Sequence, residues 1–143
     1  MPIYGIVSDT HSDRANALPH IIADLKARGA EYIIHCGDIE PKHLDPKIFG
    51  NLPVVCALIE EQIGRPEFRN PPEGWIYTTP GDRVRNIGGI LMYVGHKRSW
   101  EFLTGAEAVL WKTIEEFRLK HDGLRVMFSG HTHHHIYAPT GLV

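Results

Sequence analysis

At 143 residues the chain has the length of one domain, enough to bury a hydrophobic core without disulfide or metal staples. Its 43% apolar and 22% charged residues are ordinary globular values and exclude extended disorder. A net charge of −2 gives no bulk attraction to nucleic acid or to an anionic membrane, so neither is expected as a partner.

The opening residues "MPIYGIVSDTHSD" carry no positively charged leader and no long apolar stretch. No export and no membrane span are therefore expected. Cys36 and Cys56 lie in the apolar runs "YIIHCGD" and "PVVCALI" and are expected to be reduced thiols of a cytoplasmic protein. Residues 3–8, "IYGIVS", are predicted to form a buried strand that stops at Asp9. A helix follows, with Asn16 as N-cap, Pro19 in its first turn, and Leu18, Ile21, Ile22 and Leu25 at helical spacing. Gly29 supplies its stop. Residues 32–36 and 53–59 read as two more buried strands, and this alternation predicts an α/β fold with parallel pairing in the first half. Residues 60–82 hold four prolines and three glycines and are predicted to be one long loop. Residues 83–96 are predicted as two strands turned at Gly88 and Gly89. Thr104 to Glu107 is a capping-box pattern for a helix to about Lys120, with Val109, Leu110, Ile114 and Phe117 on one stripe. Residues 124–129, "LRVMFS", read as the last buried strand.

The polar residues collect where these strands end. The first runs into Asp9-Thr10-His11, the second into Gly37-Asp38, the hairpin strand into Gly95-His96, and the last into Gly130-His131-Thr132-His133. Ligand sites of α/β sheets gather at the carboxyl ends of the strands. In an extended chain, Asp-x-His and His-x-His place two side chains on one side. Carboxylates mixed with imidazoles suit a divalent transition metal, Mn, Fe or Zn rather than Ca.

As an ordered set, "SDTHSD", "HCGD", "VGH" and "SGHTH" resemble the calcineurin-like metallophosphoesterases, in particular the small bacterial and archaeal phosphodiesterases. The resemblance runs from Ile3 to His133 and implies a two-sheet β-sandwich flanked by helices, formed by residues 1–143 as a single domain. It also implies two metal ions, Mn favoured. Asp9, His11 and His133 would bind one, His96 and His131 the other, and Asp38 both. Two cations about 3.5–4 Å apart can clamp a phosphate and activate a water. The implied activity is hydrolysis of a phosphodiester or small phosphomonoester. His134 and His135 are left as surface imidazoles, and His35 and Cys36 as packing residues. His20, His43 and His121 are expected to be solvated, as are Lys97 and Arg98.

Two departures from the family pattern stand out. The family's third motif places an Asn ligand of the second metal just after the third strand. Here Ala57 and Leu58 hold the Gly-Asn position, and the Gly50-Asn51 pair lies at the opposite end of that strand. Either Glu60 or Glu61 replaces the Asn, or the second metal is one ligand short and weakly held. Relatives also continue beyond Gly-His-Thr-His into further strands, whereas this sequence stops at Val143, either as a truncation or as a short sheet edge. The alternative to an enzyme is a non-catalytic interaction module on the same fold with a degenerate metal site.

Overall fold

The computed structural model describes residues 1–11, 13, 15–96 and 119–130. Strands β1 (Tyr4–Val7), β2 (Tyr32–His35), β3 (Val54–Ala57) and β4 (Trp75–Thr78) form a parallel sheet in that order. A second sheet contains β5 (Val84–Ile87), β6 (Ile90–His96) and β7 (Val126–Gly130), with β5 antiparallel and β7 parallel to β6. The β5–β6 hairpin turns at Gly88 and Gly89, whose φ values of 59° and 90° are the left-handed backbone that a tight two-residue turn needs.

Side-chain alternation along β2 and β3 builds two cores, one on each face of the parallel sheet. Ile33, Val54, Cys56 and Leu58 face one way, onto Leu18 and Ile22 of helix α1 (Leu18–Ala27), with Phe49, Phe68 and Trp75. Ile34, Cys36, Val55 and Ala57 face the other way, onto Ile87, Met92 and Val94 of the second sheet. Burying each of these large aliphatic side chains is worth roughly 1.5–3 kcal/mol, so both faces contribute strongly. The result is the expected α/β arrangement of two packed sheets with a helix on the outer face.

Three expectations are corrected. The helix is not capped by Asn16, whose φ of 51° turns the chain instead of meeting the extended backbone an N-cap requires. Asp13 caps from further back, its carboxylate accepting the N–H groups of Ala17 at 2.7 Å and Leu18 at 3.0 Å. Residues 60–82 are not one loop: after a 3-10 turn at Pro66–Phe68 the chain forms β4, which pairs with β3 and sets Trp75 edge-on to Phe49. His43 is not solvated but 2% exposed, at the end of a 3-10 turn (Pro41–His43). The predicted stop at Gly29 does form: Gly29 N–H donates to Lys26 and Ala30 N–H to Leu25, with Gly29 at φ 93°. The helix predicted from Thr104 lies outside the described residues up to 118.

Candidate metal centre

β1 and β2 are parallel neighbours, with Val7 beside His35, so the residues that follow them leave the sheet side by side. The pairing continues past the strands: Cys36 N–H donates to the Val7 carbonyl, and Asp9 N–H to the Gly37 carbonyl at 2.9 Å. Asp9 and Asp38 both take left-handed backbone, at φ 55° and 62°. Aspartate tolerates that conformation better than most residues, and its cost is of the kind that folds concentrate at functional sites. The Ser8 hydroxyl donates to Asp9 Oδ2.

These turns bring Asp9, His11 and Asp38 together, with one donor atom of each within 4.8 Å of the others. His11 Nε2 lies 3.4 Å from Asp38 Oδ2, and both side chains are about one-third exposed. From the second sheet, His96 reaches the same place: its Nε2 is 3.9 Å from Asp9 Oδ1, with side chains 5% and 13% exposed. His96 Nδ1 lies 2.8 Å from the Cys36 carbonyl. A carbonyl only accepts, so Nδ1 carries a proton, and Nε2 is the nitrogen turned toward Asp9. A backbone carbonyl holding one ring nitrogen so that the other can ligate is the usual support of a metal-binding histidine.

Two glycines make this approach feasible. A Cβ on Gly37 would stand 2.5 Å from the His96 ring. A Cβ on Gly130, the residue paired with His96, would stand 2.6 Å from the Cys36 carbonyl and 2.8 Å from Asp9 Oδ2, and would collide with the Ser8 hydroxyl. The end of β7 therefore packs directly on Asp9. His131 and His133 follow Gly130 but lie outside the described residues, as do Lys97, Arg98, His134 and His135.

His35 is a packing residue, as expected, and also more than that. It is fully buried, accepts the Gly37 N–H at Nδ1 and contacts the Thr10 hydroxyl at Nε2, 2.9 Å away. Burial drives its pKa down to about 3, so the ring stays neutral. Both cysteines are free thiols, and burial, with the Asp9 charge adding to it, pushes Cys36 up to about 12.

The third strand contributes no ligand among the described residues. Leu58 is 3% exposed and sits in the core on the helix side, while Glu60 and Glu61 are exposed and outside the acidic and imidazole group. Gly50 and Asn51, with φ of 60° and 57°, make the turn that enters β3. Sequence reasoning missed Gln62. It is buried after β3, accepts the Ile59 N–H and donates to the carbonyl of Ile39, next to Asp38. A lone polar residue between Glu61 and Ile63 carries no signal of that role.

Two carboxylates and an imidazole converge at the strand ends in a group that could hold a metal ion, beside a second imidazole held by a backbone carbonyl. The chain belongs to the calcineurin-like phosphoesterase superfamily, whose domain model matches residues 3–141. It is also similar to a protein of Methanocaldococcus jannaschii described as a probable metallophosphoesterase, with 29% identity over 132 residues, 92% of this chain and 58% of that relative. The chain thus spans under two thirds of the relative's length. Metal-dependent phosphoester hydrolysis is the chemistry that this family suggests, and the donor set at Asp9, His11 and Asp38 fits a divalent metal. Among the described residues, no helix is long and apolar enough to cross a membrane.

Proposed function

We propose that this protein is a cytoplasmic metal-dependent phosphoesterase, a single domain acting on a small phosphodiester. The observation that carries the reading is the convergence of Asp9, His11 and Asp38, with a buried His96 turning its Nε2 toward Asp9. Asp9, His11 and His133 would hold one metal, His96 and His131 a second, and Asp38 both, with Mn favoured. Bound there, the metals would supply Lewis acidity toward a phosphoryl oxygen and toward the attacking water.

The chain's own residues have separate tasks. The Cys36 carbonyl holds His96 at Nδ1, Ser8 orients the Asp9 carboxylate, and the left-handed turns at Asp9 and Asp38 set a mostly buried carboxylate beside a partly exposed one. The partly exposed His11 and Asp38 would face an entering substrate.

The second reading, a non-catalytic interaction module, draws on one observation: Leu58 is committed to the core where the family has a ligand. Elemental analysis after incubation with Mn, coupled to hydrolysis of bis(p-nitrophenyl) phosphate, separates the two. The enzyme reading expects bound metal and Mn-dependent hydrolysis. Bound metal without hydrolysis favours the interaction module, and no metal at all overturns the metal centre.

A further inference from the structure

The three clustered donors come from two separate loops, Asp9 and His11 from the end of β1 and Asp38 from the end of β2. One side chain ties those loops together. His35 ends β2, its backbone paired to Val7 on one side and Cys56 on the other, and its ring is fully buried with Phe49 edge-on to it. Nδ1 accepts the N–H of Gly37 at 3.1 Å, so the ring proton is on Nε2 and is donated to the Thr10 hydroxyl at 2.9 Å. Thr10 stands between Asp9 and His11, and Gly37 immediately precedes Asp38. Gly37 is held at both polar groups, its N–H by His35 and its carbonyl by the N–H of Asp9. With both ring nitrogens occupied, His35 has no lone pair for a cation.

We propose that His35 is a positioning residue, which sets the spacing between the Asp9–Thr10–His11 loop and Asp38 and so raises metal affinity without touching the metal. The inference rests on the metal-centre reading above. Groups that orient metal ligands typically change affinity by about 10- to 100-fold when removed.

Two replacements separate the two bonds of the ring. His35→Gln can place its amide nitrogen where Nε2 stands and keep the donor to Thr10. His35→Asn is too short for Thr10 and retains only a group near Gly37. Thr10→Val removes the hydroxyl from outside the core. The measurement is Mn titration by calorimetry on the full chain, at a temperature where circular dichroism shows each variant fully folded. His35→Asn and Thr10→Val should each weaken Mn binding about tenfold or more. The double variant should bind no more weakly than either single one, because both remove the same bond. His35→Gln should bind more tightly than His35→Asn. Wild-type Mn affinity in folded Thr10→Val and His35→Asn, or losses that multiply in the double variant, would overturn the proposal while leaving the metal centre standing. A wild-type chain that binds no Mn would overturn the metal centre itself and this inference with it.

Discussion

The ring of His96 occupies the space above Gly37, joining the two sheets at the ends of β6 and β2. A Cβ at Gly37 would stand 2.5 Å from that ring, and Gly37 holds φ 103°. Gly37→Ala therefore meets two penalties, a left-handed backbone and a collision with a side chain that the Cys36 carbonyl keeps in place. Urea unfolding should show a loss of about 1–3 kcal/mol. Because His96 must move, metal affinity should fall as well, and an unchanged affinity would detach His96 from the site.

Asp38 is the residue assigned to both metals, and its φ of 62° limits what can replace it. Asp38→Asn keeps a side chain that tolerates that backbone while removing the charge. Metal content by elemental analysis should drop to near zero. The metal-free variant should unfold within about 0.5 kcal/mol of wild type, since the side chain is partly exposed. Full metal retention by the variant refutes the shared role.

In the metal-free protein His35 should impose a pH dependence on stability. Its folded pKa is about 3, against 6.5 for a free imidazole, because burial disfavours the charged ring. Between those values the unfolded chain binds a proton that the folded chain does not, so stability is lost as pH falls. The slope contributed by this one group approaches about 1.4 kcal/mol per pH unit. His43, also lowered by burial, acts in the same direction below 6.5. Asp13, lowered chiefly by the Leu18 and Ala17 N–H groups, adds its loss only as pH falls through the carboxylate range. Urea unfolding of wild type and His35→Gln between pH 6.5 and 5 should give a flatter profile for the variant, and equal slopes would show that His35 titrates freely.

Leu58, which the family resemblance sets at a ligand position, has its side chain in the core with Leu18, Ile22 and Phe49. Leu58→Asn should therefore cost about 2–4 kcal/mol by losing apolar burial and burying an amide. Mn should not restore the melting temperature beyond the shift it gives wild type. A restoration specific to the variant would mean that the amide reaches the second metal.

All the strands but β4, the hairpin turn and the polar residues at the strand ends were legible in the sequence because each is a local pattern. β-branched runs in "YIIH" and "PVVCA" announce buried strands whatever they pair with, and Gly88-Gly89 announces a turn. The motifs from Asp9 to His96 could be read in order because each lies at the end of an apolar run. The chain alone therefore determined the α/β class, and it named Asp9, His11 and Asp38, which the fold brings together.

The tertiary structure decided what depends on partners distant in sequence. "WIYT" lies among prolines and glycines and became β4 only because β3 offers a parallel edge, Val54 beside Trp75. Asp13 displaced Asn16 as the helix cap because the turn at Asn16 brings its carboxylate back to Ala17 and Leu18. His43, a single histidine beside Lys42 and Pro41, gives no sign in the sequence that it is buried. Burial and hydrogen bonding are set by what packs across the chain, and no local pattern encodes that Thr10, His35 and Gly37 meet.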